Sequence, residues 1–345
     1  MAPPHVSSIS IPLWILLISS AAPAFALRRS PPPACGGSVA FASPRCSAPA
    51  RRFSELLATV VEPEVGARGA TSDRLAAAVD DLNSAIESPS SPLRDVKVRA
   101  RVYPDLRVGL EATRPLKYGD TFLSVPYAST GTARDVTDAA LAPVLASALP
   151  EDYDGWTGDA GLLALLLLKE VHAPRDALWA AWTRCLPTAD ECTTMLPLMW
   201  DEDVQEILQG SSTRKIYRKL DDADEDAAWL EENIWSANRE AFPEQTDAFG
   251  NTHPLFSTDG FRWALALVNS RALFIDGALR LVPVADCANH ADYALGGGAT
   301  AEPKAGFTGR FGTTGSAQLV AGDASAGRGE AYGKGDQVYV SYGPG

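Results

Sequence analysis

Three short segments carry the residues that are best suited to chemistry. The acid Asp286 stands three residues before the pair Asn289-His290, and Tyr342 closes a run of strand-forming residues near the end of the chain. Arg271 ends an apolar segment upstream of both. Each also has an ordinary structural explanation, because a strand tyrosine packs its ring, a loop acid caps a turn and an arginine complements a helix C-terminus. The residue types therefore mark a candidate site without defining its reaction.

Common active-site patterns other than these are missing from the sequence. His290 could be a metal ligand or a general base, but His172 and His253, the other histidines beyond the N-terminal segment, lack ligand spacing to it. The sequence contains no Gly-x-Ser-x-Gly elbow, no Walker loop and no paired-cysteine motif. We therefore predict no metal site.

The composition is typical of a soluble globular protein with a strongly acidic body. Hydrophobic residues make up 46% of the 345 residues and charged residues 21%, so disorder is not expected. The net charge is −13, although residues 1–54 contain five arginines and no acid. The remainder is more acidic still, which disfavours nucleic acid and either favours basic protein partners or simply maintains solubility.

The first 53 residues have the features of a targeting presequence. Residues 9–20 form an apolar run that is too short to cross a bilayer as a helix, and residues 22–26 resemble a signal-peptidase site. Residues 27–53 are rich in Arg, Ser, Pro and Ala and free of acids, as in a transit peptide. This order resembles the bipartite presequence of algae with complex plastids, and a plain secretory signal is the alternative. The three later cysteines lack disulfide or zinc spacing, which favours a reducing compartment such as the stroma.

Local patterns predict strands, then a helical block, then strands again, which indicates an α+β fold. Apolar residues three or four apart predict a helix ending before the Ser- and Pro-rich residues 88–92, and residues 96–102 alternate as a half-buried strand does. Residues 162–168 predict a buried helix. The predicted organisation is a bipartite presequence (1–53), a helical lead-in and linker (54–95) and a domain (96–345) with a helical insert at about 135–263.

Taken in order, these motifs resemble the SET-domain methyltransferases. The motifs are residues 107–113, 116–120, 162–170, 269–273, 283–290 and 337–343, together with Trp182, Leu186-Pro187 and Trp200-Asp201-Glu202. The resemblance covers about residues 96–345 and is greatest to the plastid branch that includes the Rubisco large-subunit lysine methyltransferase. It implies a SET-domain β-fold of small sheets with a large helical insertion, and transfer of a methyl group from S-adenosylmethionine to a protein lysine.

The resemblance also implies a role for each candidate residue. Tyr342 is the catalytic tyrosine whose hydroxyl lies beside the transferred methyl, and Asp286 contacts the substrate lysine. Arg271 contacts both the cofactor and the lysine channel. The remaining cofactor-binding residues are Leu106, Arg107, Val108, Asn289 and His290. A protein substrate is implied, with a stromal carbon-fixation enzyme as the family-level candidate, and neither nucleic acid nor a stable membrane anchor after presequence removal.

The sequence departs from the family pattern at three places. Ile275 stands where relatives carry a second arginine, and Ala301 stands where they carry a substrate-facing tyrosine. The family also continues beyond the position of Gly345 into a closing segment and a helical substrate-binding domain, so we expect a C-terminally truncated form. A non-catalytic SET-fold binding module and an enzyme that acts on histidine are the alternatives.

Overall fold

The protein, analysed as a computed structural model, is described over residues 65–104, 107–138, 158–200, 214–243, 254–290, 305–310, 315–322 and 329–340. The helices are α1 (Val65–Glu87), α2 (Ala133–Asp138), α3 (Asp159–His172), α4 (Ala177–Arg184), α5 (Ala189–Met195), α6 (Arg214–Leu230) and α7 (Thr258–Arg271). The strands are β1 (Val98–Tyr103), β2 (Arg107–Ala112), β3 (Leu116–Lys117), β4 (Thr121–Pro126), β5 (Gly131–Thr132), β6 (Leu273–Ile275), β7 (Ala278–Leu281), β8 (Asn289–His290), β9 (Ala305–Arg310), β10 (Ser316–Ala321), β11 (Glu330–Tyr332) and β12 (Gln337–Val340).

The strands form three small sheets, and all described helices between β5 and β6 form one helical block. The largest sheet has the order β1-β2-β12-β9-β10-β4, with β8 paired to β12. A second sheet contains β11 and β3, and a third has the order β5-β7-β6. The mixed α+β class predicted from the sequence is confirmed, with its strands before and after the helical block.

The hairpin of β1 and β2 separates a polar face from the core. Val98 and Ala100 are buried, whereas the intervening Arg99 and Arg101 are exposed, which confirms the predicted half-buried strand. Both arginines pair with the buried carboxylate of Glu111 in β2, and Arg99 Nε donates to Glu111 Oε1 over 2.8 Å. Burial acts to raise the pKa of Glu111, but the hydrogen bonds from the two arginines outweigh it and lower that pKa. The carboxylate therefore stays paired on this face.

Helix α1 covers the open edge of β1. The four apolar residues that predicted this helix are all buried, namely Leu75, Val79, Leu82 and Ile86. From the next turn, Asn83 Nδ2 donates to Ala100 O over 3.0 Å, and Ala100 N donates to Asn83 Oδ1 over 2.8 Å. One amide side chain thus satisfies the strand edge in place of a further strand. Arg74 and the described residues after it belong to one compact unit.

The helical block is built around α3 and α7, which pack against each other. The leucine-rich run of α3 is buried almost throughout, as predicted. Side-chain caps define where three later helices begin: Asp176 at α4, Thr188 with Glu191 at α5, and Ser257 at α7. None of the described helices combines the length and apolar character that a membrane crossing requires. The caps fix the residues at which α4 and α7 begin. They therefore help to fix the positions of Trp182 in α4 and Arg271 in α7.

Candidate functional site

The tertiary structure places the predicted Asn289-His290 pair beside β12, the strand formed by the last predicted motif. Strand β8 runs parallel to β12, with Asn289 opposite Tyr339 and His290 opposite Val340. Asn289 Nδ2 also donates to Val108 O in β2 over 3.3 Å. Three segments that are distant in sequence therefore meet at β12.

Gly109 allows these segments to approach one another closely. A Cβ at this position would lie 2.7 Å from Asn289 Nδ2, 2.7 Å from Gln337 Nε2 and 2.8 Å from the ring of Tyr103. The hydroxyl of Tyr103 and Nε2 of Gln337 are buried and have no hydrogen-bond partner within the described part of the chain. Three polar side chains thus converge over one glycine, with two donors left available.

Arg271 and Asp286 form the charged part of the site. Arg271 is the last residue of α7, and Asp286 lies in a 3₁₀ turn, Ala285–Cys287, just before β8. Arg271 Nη1 donates to Asp286 Oδ2 over 3.0 Å, and the side chains are 21% and 1% exposed respectively. Trp182 Nε1 in α4 donates to the other oxygen, Oδ1, over 2.8 Å. The carboxylate of Asp286 is therefore held from two elements and shielded from solvent.

The turn that carries Asp286 contains a strained residue. Val284 is fully buried and has φ 71° and ψ −48°, a conformation that a β-branched residue rarely adopts. Cys287 N donates to Val284 O over 3.0 Å, and Asp286 N donates to Val282 O over 3.2 Å, which closes the turn. Such strain persists only where the surrounding structure over-determines it. The tight turn is what directs the Asp286 carboxylate inward to Arg271 and Trp182.

Burial dominates the electrostatics of Asp286. Removal from water raises its pKa, while the charge and hydrogen bond of Arg271 and the hydrogen bonds of Trp182 and the Cys287 thiol lower it. Burial also raises the pKa of the nearby Cys185 thiol to about 12 and that of Cys287 well above its usual value. These thiols therefore stay protonated near neutral pH, and neither is a candidate nucleophile.

Arg107 presents its backbone and its side chain in different directions. Its φ of 57° is left-handed, which is uncommon for a residue other than glycine. Its guanidinium pairs with Glu191 in α5, which also pairs with Arg74 over 3.3 Å. Burial lowers the pKa of Arg107. The charge of Arg271 also lowers it, so the Arg107 guanidinium lies near the Arg271–Asp286 pair as well as near α5.

This fold of small sheets around a helical block matches known structures. A structure of the SET domain of LSMT bound to lysine and AdoHcy superimposes with a TM-score of 0.53 at 22% identity, covering 78% of this chain and 54% of that one. Rubisco LSMT bound to AdoMet gives 0.53 and 22%, covering 77% and 52%. The chain has the SET-domain fold. A third structure, Rubisco LSMT with sinefungin and monomethyllysine, gives 0.53 at 20% identity.

The chain spans about half the length of these solved SET proteins. No family model matches the sequence, and no curated protein matches it. The likeness is therefore one of fold, and a fold can be shared at low sequence identity.

Within the SET fold, the predicted site residues fall into two groups. Those that the structure brings together are Val108, Arg271, Asp286 and Asn289, with Arg107 and His290 beside them. Leu106 and Tyr342 lie outside the described residues, as does Ala301. Ile275, which stands in place of a second arginine, is buried in β6. A buried apolar side chain therefore stands where the family pattern predicts an arginine.

Two features of the site escaped the sequence reasoning. Trp182 was noted only as a landmark of the helical block, yet its indole N–H reaches Asp286 across 104 residues of sequence. The hydroxyl of Tyr332 in β11 donates to Tyr339 O over 2.9 Å and accepts from Tyr339 N over 3.3 Å, which ties β12 to β11. No periodicity or spacing signals either contact, because both depend on how distant elements pack.

Proposed function

We propose that this protein transfers a methyl group from S-adenosylmethionine to a lysine side chain of a protein. The observation that carries the proposal is that Asn289-His290 pairs with β12 and bonds Val108 in β2, while the turn just before it carries the buried Arg271–Asp286 pair, within a SET fold. Solved structures that share the fold include complexes with AdoMet, AdoHcy and lysine, which supports the proposal. A shared fold leaves the acceptor open, so the experiments below address cofactor and acceptor separately.

The residues present suit the chemical groups of this cofactor. A guanidinium, that of Arg271, suits a carboxylate, and the Asn289 amide can hydrogen-bond polar edges of the ligand. The Tyr103 hydroxyl and Gln337 Nε2, which have no hydrogen-bond partner within the described residues, are further donors beside Asn289. In the proposal, the main chain of residues 106–108, with the side chains of Arg271, Asn289 and His290, holds the cofactor. When bound, the cofactor supplies an electrophilic methyl group on a sulfonium.

The chain's own task is to deliver an uncharged amine to that methyl group. A free lysine has a pKa near 10.4, so the site has to favour its neutral form by excluding water. We assign to Tyr342 a hydroxyl that contacts the amine beside the methyl. Arg271 and Asp286 are assigned to the acceptor channel, with Asp286 acting by way of Arg271 since its own carboxylate is buried.

The acceptor is proposed to be a protein with a basic surface around the target lysine. The acidic balance of the chain supports this, since opposite charge accelerates encounter. A carbon-fixation enzyme of the stroma is the first candidate, by analogy with the Rubisco methyltransferases that share the fold.

Replacing Asn289 with alanine is expected to weaken S-adenosylmethionine binding about tenfold or more, because a directed amide and its bond to Val108 O are lost. The measurement is titration calorimetry of the full chain. Asn233→Ala provides the control, because Asn233 is an exposed asparagine after α6 that bonds only its own helix in the described structure. Equal affinities for the two variants would contradict the assignment of Asn289.

Methyl transfer itself is tested with a labelled cofactor and paired peptides that present either lysine or histidine in the same context. Label on the lysine peptide alone supports the proposal, and label on the histidine peptide alone moves the enzyme to a different acceptor. Cofactor binding without transfer to any acceptor would favour a non-catalytic binding module.

We further propose that residues 1–53 direct the protein to the plastid, that residues 54–95 lead into the catalytic domain, and that the domain carries its helical insert at about 135–263. The signal-then-transit order of the sequence supports the first assignment. A fluorescent protein fused after residue 345 is expected in the plastid, and a version without residues 1–53 in the cytosol. Secretion of the full fusion would contradict plastid targeting.

A further inference from the structure

Asp286 depends on a donor from the helical block. We propose that Trp182 is a positioning residue, whose indole N–H orients the Asp286 carboxylate so that it holds the Arg271 guanidinium at the site. The inference rests on the proposed function for what Arg271 binds, but the contact itself is independent of it. The Asp286 carboxylate joins the other two groups, because Oδ1 accepts from Trp182 over 2.8 Å and Oδ2 accepts from Arg271 over 3.0 Å.

Two donors are needed to define the orientation of this carboxylate. A single ion pair leaves the plane of the carboxyl group free to rotate about the Cβ–Cγ bond, which has a broad torsional minimum. A second strong donor on Oδ1 removes that freedom and directs Oδ2 at Arg271; the Cys287 thiol also lies 3.7 Å from Oδ1, but a thiol is only a weak donor. Because the Asp286 side chain is 1% exposed, water cannot take over the role of the second donor.

Trp182 is itself fixed in place. It is fully buried in α4, and its ring meets that of Trp179 edge-on, with centroids 5.1 Å apart and an interplanar angle of 83°. Trp179 is anchored in turn, since its Nε1 donates to Ser129 O over 3.1 Å and Arg175 lies over its ring at 4.5 Å. The indole N–H of Trp182 therefore presents one direction only, and the helical block sets the position of the carboxylate.

The groups around Asp286 determine how loss of the Trp182 indole N–H changes the pKa of Asp286. The charged or titratable groups acting on it are Arg271 from α7, Cys287 from its own turn and Cys185 just after α4. Both thiols stay protonated near neutral pH because burial raises their pKa. Removal of the indole N–H takes away one of the interactions that lower the pKa of Asp286, so this pKa rises further. A neutral Asp286 no longer pairs with Arg271, and that loss then begins at a higher pH.

The test compares Trp182→Phe with Trp263→Phe in the full chain. Both changes keep an aromatic ring in the helical block and remove one buried indole N–H, but Trp263 donates to the backbone carbonyl of Pro187 over 3.0 Å and not to Asp286. With ¹³C-labelled aspartate, the NMR titration of Asp286 is expected to move up by roughly one to two pH units in Trp182→Phe and to stay in place in Trp263→Phe. Asp286→Asn assigns the resonance.

The second measurement is the pH dependence of S-adenosylmethionine binding. Affinity for S-adenosylmethionine in Trp182→Phe is expected to fall at a higher pH than in the unchanged chain, and Trp263→Phe is expected to keep the original profile. If the unchanged chain binds no cofactor, the proposed function fails, whereas the aspartate titration still decides whether Trp182 orients Asp286. Identical titrations of Asp286 in both variants would overturn the positioning role.

A measurement on the unchanged chain covers the case in which Trp182→Phe does not fold. The ¹⁵N-labelled indole N–H of Trp182 is expected to shift as Asp286 titrates, and to lose that dependence in Asp286→Asn. An indole resonance that is insensitive to the charge of Asp286 counts against the proposal as directly as the variant does.

Discussion

Arg271→Met is expected to reduce the free energy of unfolding by about 3–5 kcal/mol at neutral pH. Methionine keeps the aliphatic stem of Arg271 but removes the guanidinium that pairs with Asp286. The carboxylate is then left buried with only neutral donors, and an uncompensated buried charge is far costlier than a missing surface ion pair. The measurement is urea unfolding of the full chain.

The matched control is Arg262→Met in the same helix. Arg262 also forms an ion pair, with Asp224 at 2.6 Å, but both side chains are substantially more exposed than Asp286. Loss of such a pair is expected to cost about 1 kcal/mol or less. Similar losses in the two variants would mean that the burial of Asp286 does not determine the cost.

The loss in free energy of unfolding caused by Arg271→Met is expected to depend on pH. Burial already raises the pKa of Asp286, and loss of the guanidinium raises it further. A carboxyl group with a raised pKa in the folded state contributes stability below its ordinary pKa, and this contribution is lost as the pH rises through the raised value. The difference from the unchanged chain should therefore shrink on acidification. A difference that stays constant across pH would indicate lost packing of the arginine stem, and not an unpaired charge.

Gly260→Ala is expected to lower the free energy of unfolding by about 3 kcal/mol or more, although alanine normally favours a helix by about 1 kcal/mol over glycine. The added Cβ would lie 1.9 Å from Leu255 O and 2.7 Å from Leu255 C. These are backbone atoms, which cannot rotate away as a side chain does. The first turn of α7, capped by Ser257, has to shift, and Arg271 moves with the helix.

Gly277→Ala separates clash from backbone strain. Gly277 has φ 71° but open space around its missing Cβ, so only the left-handed conformation is penalised, at roughly 1–2 kcal/mol. Urea unfolding of both variants gives the comparison. A loss in Gly260→Ala no larger than that in Gly277→Ala would show that the start of α7 relaxes readily.

The sequence predicts which residues belong to the site better than it predicts the contacts that they make. Asn289, Arg271 and Asp286 are predicted as site residues because the motifs that contain them resemble those of the SET domain, and the fold places Asn289 beside β12 and pairs Arg271 with Asp286. The sequence-based expectation for Asp286 was direct contact with a substrate lysine. In the structure its two oxygens accept from Trp182 and Arg271, so burial decides which partners it has.

The sequence by itself determined the secondary structure that positions the site, because alternation, apolar spacing and capping residues act within a few positions of one another. The burial of α1 through Leu82 and its neighbours, and the half-buried β1, were predictable for this reason. Only the tertiary structure decided that Asn83 completes β1, that Trp182 reaches Asp286, and that Gly260 admits no Cβ. Each of these depends on the distance between atoms of separate segments, and chain connectivity leaves that distance open until the core packs.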